Sequence, residues 1–243
     1  AWLELKQYSQ SQKGPSVKRQ TEAVIIGGGV IGCSIAYHLA KLGMTDVMLL
    51  DRQELTSGSS WHAAGGVHGL HDTNNIARLQ YYTMNLYREL EQETGQSVGF
   101  HQTGYLYLAQ TEDRAHQLRI SAAKARQFSG VEFHEISLEE ASERHPFVNL
   151  DGIRMAVWES ESGHVDVNGV THAYAQAARN RGVSIERFCP VLETNPRPDG
   201  GWDVVTEKGT IQTRVLVNAA GLWGREVAGL AGLELPLMPL EHQ

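Results

Sequence analysis

The sequence predicts an α/β protein, a Rossmann-like nucleotide-binding domain interleaved with an incomplete, β-rich second domain. Three observations carry this expectation. First, an apolar run, Ala23 to Ile26, enters the glycine turn GGGVIG, then a helical pattern, then a second apolar run, Asp46 to Leu50. Together they occupy about 30 residues, the size of one βαβ unit. Second, beyond residue 100 the text changes to short alternating segments. Third, after residue 166 it returns to a helix, further strands and another glycine-rich corner, AAGLWG. The expected divisions are 1–20 for an N-terminal arm, 21–100 with 166–236 for the nucleotide domain, and 101–165 with 237–243 for the second domain. That second domain reads as truncated, because the chain stops at PLEHQ with neither a closing helix nor a polar tail.

Each element has its own signal. The arm is polar, contains Gly-Pro, and lacks the apolar centre of a secretory signal. AVII, apolar throughout, is expected to be a strand covered on both faces. Ile31, Ile35, Leu39 and Leu42 form a helical stripe that ends at Gly43, a residue suited to a left-handed cap. Leu79, Tyr82, Leu86 and Leu90 mark a second helix. GYLYLA and VEFHEI alternate as half-exposed strands do, and Ser137 with Glu140 forms a capping box before Pro146. A further helix turns Val170, Tyr174, Ala177 and Ala178 inward and stops at Gly182. It is followed by VSIERF and by strands joined through turns at Asp199-Gly200-Gly201 and Lys208-Gly209.

Composition narrows the function classes. In 243 residues, 41% are hydrophobic and 20% charged, the balance of a soluble globular chain. A formal charge of −7 and the lack of a basic patch argue against nucleic acid. The longest apolar runs fall well short of the ~20 residues that span a bilayer, so no membrane partner is expected. Cys33 and Cys189 form no CxxC pair and read as reduced core residues.

The glycine turn carries the first functional signal. GxGxxG falls on Gly27, Gly29 and Gly32: the first permits a tight turn, the second lets backbone approach a pyrophosphate, and the third packs helix on strand. A helix N-terminus offers free N–H groups and the positive end of a dipole to a diphosphate. Asp51, about 20 residues on at the end of the next strand, is placed to take ribose hydroxyls. It disfavours a 2′-phosphate, which its charge would repel. The adjacent Arg52 weakens that inference, and neither residue separates NAD from FAD.

The second signal is TSGSSWHAAGG, residues 56–66, a loop poor in side chains with one titratable heterocycle at His62. Taken alone, that histidine could be a hydrogen-bonding partner in a turn, a metal ligand, a catalytic base or a point of covalent attachment. Ser59 and Ser60 can donate to phosphate oxygens, and the small Ala63, Ala64 and Gly65 let a flat ring pass close.

AVIIGGGVIGCSIAYHLAKLGMTDVMLLDR followed by TSGSSWHAAG resembles the N-terminal flavin domain of the dimethylglycine and sarcosine dehydrogenases, in the D-amino-acid oxidase superfamily. Further matches run through ELEQETGQSVGFHQTG, GHVD, CPV, VNAAGLWGREVAGLAGL and PLMPLEHQ. The resemblance implies an FAD-binding domain and a covalent bond between His62 and the 8α-methyl carbon of FAD. Neutral imidazole, with an ordinary pKa near 6.5, is a suitable nucleophile at pH 7. It further implies a cofactor-binding set of Gly27, Gly29, Val30, Ile31, Gly32, Asp51, Arg52, Gly58, Ser59, Ser60, Trp61, His62, Ala63, Ala64 and Gly65. Val191 belongs on the adenine side through its backbone, and Ala220, Gly221 and Trp223 lie along the cofactor.

The resemblance also implies a reaction: oxidative N-demethylation of a small N-methyl amino acid, with hydride passing to the flavin and then to an electron-transfer flavoprotein or oxygen. A dehydrogenase is expected over an oxidase, in a mitochondrial matrix or bacterial cytoplasm. His242 matches a family histidine on the substrate side and is the catalytic candidate for orienting or deprotonating the amine. Tetrahydrofolate is expected only if a C-terminal region lies beyond this chain. His68, His71, His164 and His172 show no metal-ligand spacing, and no metal is expected. Two rivals remain. A non-catalytic homologue of the pyruvate dehydrogenase phosphatase regulatory subunit type shares much of the text, including LAQTEDR, but lacks the Trp61-His62 pair. An NAD-dependent dehydrogenase has no use for the SSWHAAG loop.

Overall fold

The computed structural model describes residues 17–240. They form two compact units, one comprising the residues through Ala63 and those from Thr171 onward, the other Ala64–Val170.

In the first unit, β1 (Gln20–Ile26) is followed by α1 (Val30–Lys41) and β2 (Val47–Leu50), the expected βαβ unit. A six-stranded sheet runs in the order β8-β2-β1-β11-β10-β9, with β8 (Ser184–Glu186), β9 (Val191–Pro196), β10 (Trp202–Thr206) and β11 (Gly209–Asn218). β2, β1 and β11 pair in parallel, as do β2 and β8, whereas β9, β10 and β11 form an antiparallel meander. The last four residues of β1 and all of β2 are buried, which explains why both lack the alternation of a one-sided strand.

The face that α1 buries differs from the expected one. Gly32, Cys33, Ala36, Tyr37 and Ala40 are buried, while Ile31 is 63% exposed and Leu42 85% exposed. Close approach of helix to sheet selects the small residues, and the large aliphatics that dominate a periodicity count are displaced to the flanks. Gly43, with φ +98°, follows the helix as its sequence signal indicated.

In the second unit, β4 (Tyr105–Ala109), β6 (Met155–Glu159) and β5 (Phe133–Ile136) form an antiparallel sheet in the order β4-β6-β5. β3 (Gly66–Val67) pairs with β7 (Gly163–His164). α2 (Asn74–Thr94) and α3 (Glu112–Ser129) supply Met84 and Leu118 to a core shared with Phe133, Met155 and Val157. α2 buries Ala77, Met84, Leu86 and Leu90, but Leu79 and Tyr82 of its expected stripe are exposed. The short α4 (Leu138–Arg144) begins at Ser137, whose side chain accepts from Glu140 N. This unit starts at Ala64 rather than at residue 101 because α2 belongs to its core, and backbone bonds from Val165 N to Gly65 O and from Asp166 N to Val98 O hold its ends together.

α5 (Val167–Asn180) buries Val170, Tyr174, Ala177 and Ala178 as expected, and α6 (Gly224–Leu230) follows the AAGLWG corner. No helix among the described residues is long and apolar enough to cross a membrane.

Candidate cofactor site

The site is built at the end of β1. Gly27 donates its N–H to Leu50 O at 2.8 Å and has φ +116°. A Cβ on it would lie 2.3 Å from Ala219 O, and one on Gly32 would lie 1.8 Å from Gly27 O. Both positions therefore admit only glycine, because backbone occupies the side-chain volume. Gly29 caps α1 in an extended conformation without a side chain, and the first turn contains no acidic residue. The helix thus presents its positive end to the loop.

Asp51 is held by that same turn. Its Oδ2 accepts from Gly28 N at 2.6 Å and its Oδ1 from Gln53 N at 2.7 Å, so backbone donors fix the carboxylate that was expected to meet a ribose. Cys189 N donates to Asp51 O at 2.8 Å, which brings the start of β9 and Val191 alongside. Arg52 stacks its guanidinium 4.0 Å over the Trp223 ring. That ring also lies near Gly58, where a Cβ would be 3.6 Å from it. Ala220 N donates to Asn218 Oδ1, and Asn218 in turn donates to Gly224 O, fixing the AAGLWG corner.

The loop after Asp51 is tied down at two points. Thr56, with φ 71°, donates its N–H to Gly28 O at 3.1 Å. Ser60 Oγ accepts from Val30 N at 2.9 Å. A short 3-10 turn, Ser60–His62, then carries Trp61 and His62, both exposed, with ring centroids 3.7 Å apart.

The first unit therefore brings together Gly27, Gly29, Val30, Gly32, Asp51, Arg52, Gly58, Ser60, Ala220 and Trp223. Ser59, Ile31, Ala63 and Gly221 are exposed alongside them. Ala64 and Gly65 belong to the second unit, where Gly65 has φ +77° and its Cβ position would meet Val165 O at 2.2 Å. His242 lies outside the described residues. Two features had no reading in the sequence: Ser60 accepts from the helix instead of only donating to a ligand, and Leu55 is buried against Gly28. The one hint of the latter is an isolated leucine in the polar text RQELTS.

These groups fit FAD. A glycine-walled turn at a helix N-terminus suits a pyrophosphate, a backbone-fixed carboxylate suits a ribose, and an open loop ending in an exposed imidazole suits a flat ring. Cys33 takes no part. Its thiol is buried behind the turn, 3.7 Å from Gly28 O, and burial pushes its pKa up to about 12. Among the described residues, no group of three or more His, Cys, Asp or Glu could hold a metal ion.

Residues 22–243 match the DAO family, FAD dependent oxidoreductase. Mitochondrial dimethylglycine dehydrogenase of Rattus norvegicus is 44% identical over 229 residues, 94% of this chain and 27% of that protein. Mitochondrial sarcosine dehydrogenase of Homo sapiens is 36% identical over 240 residues, 95% of this chain and 26% of that protein. The mitochondrial pyruvate dehydrogenase phosphatase regulatory subunit of Mus musculus is 35% identical, with 92% of this chain and 26% of that protein covered. The crystal structure of L-proline dehydrogenase from P. horikoshii superposes with a TM-score of 0.82 at 28% identity, covering 89% of this chain and 57% of that one. The chain thus spans about a quarter of the length of the curated relatives it matches.

Proposed function

Because the chain belongs to the DAO family of FAD dependent oxidoreductases, we propose that it forms the cofactor-binding part of an enzyme that oxidatively demethylates a small N-methyl amino acid of the dimethylglycine or sarcosine type. The carrying observation is the likeness to dimethylglycine dehydrogenase over 94% of the chain. The regulatory-subunit reading has the lower identity, 35% against 44%.

Bound FAD supplies a two-electron acceptor for hydride from the N-methyl carbon. The chain's own residues do the rest. Gly27 and Gly32 let turn and helix close against backbone, Gly29 keeps a side chain away from the pyrophosphate, the α1 N-terminus attracts it, and Asp51 accepts from a ribose hydroxyl. Trp223 and Arg52 hold the Asp51 loop beside the AAGLWG corner. His62 is the residue that would anchor the cofactor, its neutral ring nitrogen serving as the nucleophile toward the 8α carbon. Hydride leaves only from a neutral amine, and deprotonating an ammonium of pKa about 10 at pH 7 costs roughly 4 kcal/mol. His242 is the proposed group for orienting or deprotonating that amine. The acceptor is a flavoprotein carrier in the dehydrogenase form, with oxygen the alternative. Tetrahydrofolate enters only if a C-terminal region lies beyond this chain, and the compartment follows the relatives, mitochondrial matrix or bacterial cytoplasm.

Acid precipitation of the full-length protein tests the anchor. Yellow colour should stay with the wild-type pellet and move to the supernatant in His62→Ala; colour lost from the wild type overturns the assignment. Turnover of sarcosine against dimethylglycine, with and without oxygen, then identifies substrate and acceptor.

A further inference from the structure

We propose that Ser60 is the positioning residue that sets His62 in place for bonding to the cofactor, by tying the turn that carries His62 to the first peptide of α1. This rests on the reading of His62 as the anchor. The N-cap Gly29 has no side chain, so the first donors of α1 lack the usual partner. Ser60, thirty positions after Val30, supplies it: Oγ accepts from Val30 N at 2.9 Å. Glycine at 29 makes the approach possible, since a Cβ there would lie 3.1 Å from that oxygen.

His62 is bound rigidly to this tie. It shares the 3-10 turn Ser60–His62, and its N–H donates to Ser59 O at 3.2 Å, while Ala63 N donates to Ser60 O at 3.2 Å. Upstream, Thr56 N is bonded to Gly28 O at 3.1 Å, with only Ser57, Gly58 and Ser59 between the two ties. The imidazole is therefore located from the glycine turn, the same element that locates the pyrophosphate. A serine hydroxyl can accept from Val30 and still donate its own proton to an anionic oxygen, so one side chain couples anion, helix and turn.

Bond formation needs the ring nitrogen and the 8α carbon within a narrow range, and a misplacement of about 1 Å can cost up to 100-fold in rate. Ser60→Ala should bind FAD but attach it roughly 10- to 100-fold more slowly. Ser60→Thr, which keeps the oxygen, should restore the rate.

The experiment adds FAD to flavin-free full-length protein and follows acid-stable flavin fluorescence in denaturing gels over time. Total bound flavin and the melting midpoint are measured alongside, because a merely structural role would move those. Attachment in Ser60→Ala at saturating FAD that is slowed far beyond any drop in bound flavin or melting midpoint, and is restored by Ser60→Thr, supports the proposal. Attachment at the wild-type rate in Ser60→Ala overturns it, as does loss of binding in proportion to attachment. Acid-stable flavin missing from the wild type as well as from His62→Ala overturns the anchor reading and this inference with it.

Discussion

Two carboxyl groups, one in each unit, show how differently the two regions handle buried polarity. At the glycine turn, Asp51 spends both oxygens on backbone donors, Gly28 N and Gln53 N, and neighbouring ties from Thr56 and Ser60 leave the corner fixed by bonds. In the second unit, Glu159 is fully buried. Its Oε1 accepts from Glu161 N and Ser162 N, but its Oε2 has no partner among the described residues. His68 Nδ1, Gln80 Oε1 and Tyr107 OH, in the same unit, are also buried without one. Burial rather than bonding then sets their chemistry: it pushes the Glu159 and Tyr107 pKa values up and holds His68 below the ordinary histidine range. A cradle for a fixed ligand is built from satisfied backbone; a core that buries loose polar groups makes stability depend on pH.

The largest effect should come from breaking the steric part of the corner. Gly32→Ala forces a Cβ against Gly27 O, a backbone atom that cannot move without opening the turn. A loss of about 3 kcal/mol or more and near-complete loss of bound flavin are expected, read from the melting midpoint and the 450 nm to 280 nm absorbance ratio. Normal flavin content in this variant would show that the turn is not where the cofactor sits.

An intermediate effect should come from Glu159→Gln, which keeps the oxygen facing Glu161 N and Ser162 N while removing the charge. A carboxyl whose folded pKa is raised contributes stability that is present below its unfolded pKa of about 4.5 and is lost as pH rises through the folded pKa. The wild type should therefore lose stability relative to Glu159→Gln as pH rises above the ordinary carboxylate range, the variant gaining roughly 1–3 kcal/mol where the carboxylate is charged in its buried site. Parallel melting-midpoint curves across that rise in pH would mean that Glu159 is not the group responsible. The smallest effect should come from Arg52→Ala. A partly exposed cation–π contact contributes about 0.5–1 kcal/mol, so flavin content should survive while the FAD dissociation rate before attachment rises only a few-fold. A loss as large as that of Gly32→Ala would move Arg52 from the rim of the site to its centre.

Much of this was legible in the sequence. The βαβ unit, the glycine spacing, the cap at Ser137, the inward face of α5 and the strand-ending turns all depend on residues close together in the chain, and each is where its signal put it. The inward face of α1 was not legible, because a count of large aliphatics overlooks the glycine and alanines on which that helix packs closely, and that of α2 was legible only in its second half, at Leu86 and Leu90.

The sequence by itself determined the glycine corner: glycine where backbone leaves no volume for a side chain, and an acid at the end of the next strand. Only the tertiary structure decided that α2 belongs to the second unit, that Asp51 is oriented by Gly28, and that Ser60 completes the end of a helix thirty residues before it. The physical reason is the range of the interaction. Steric exclusion at a tight turn is a local property written in one residue type, whereas a hydrogen-bond partner across a loop is chosen by the fold, and any of several serines in TSGSS could have filled that place.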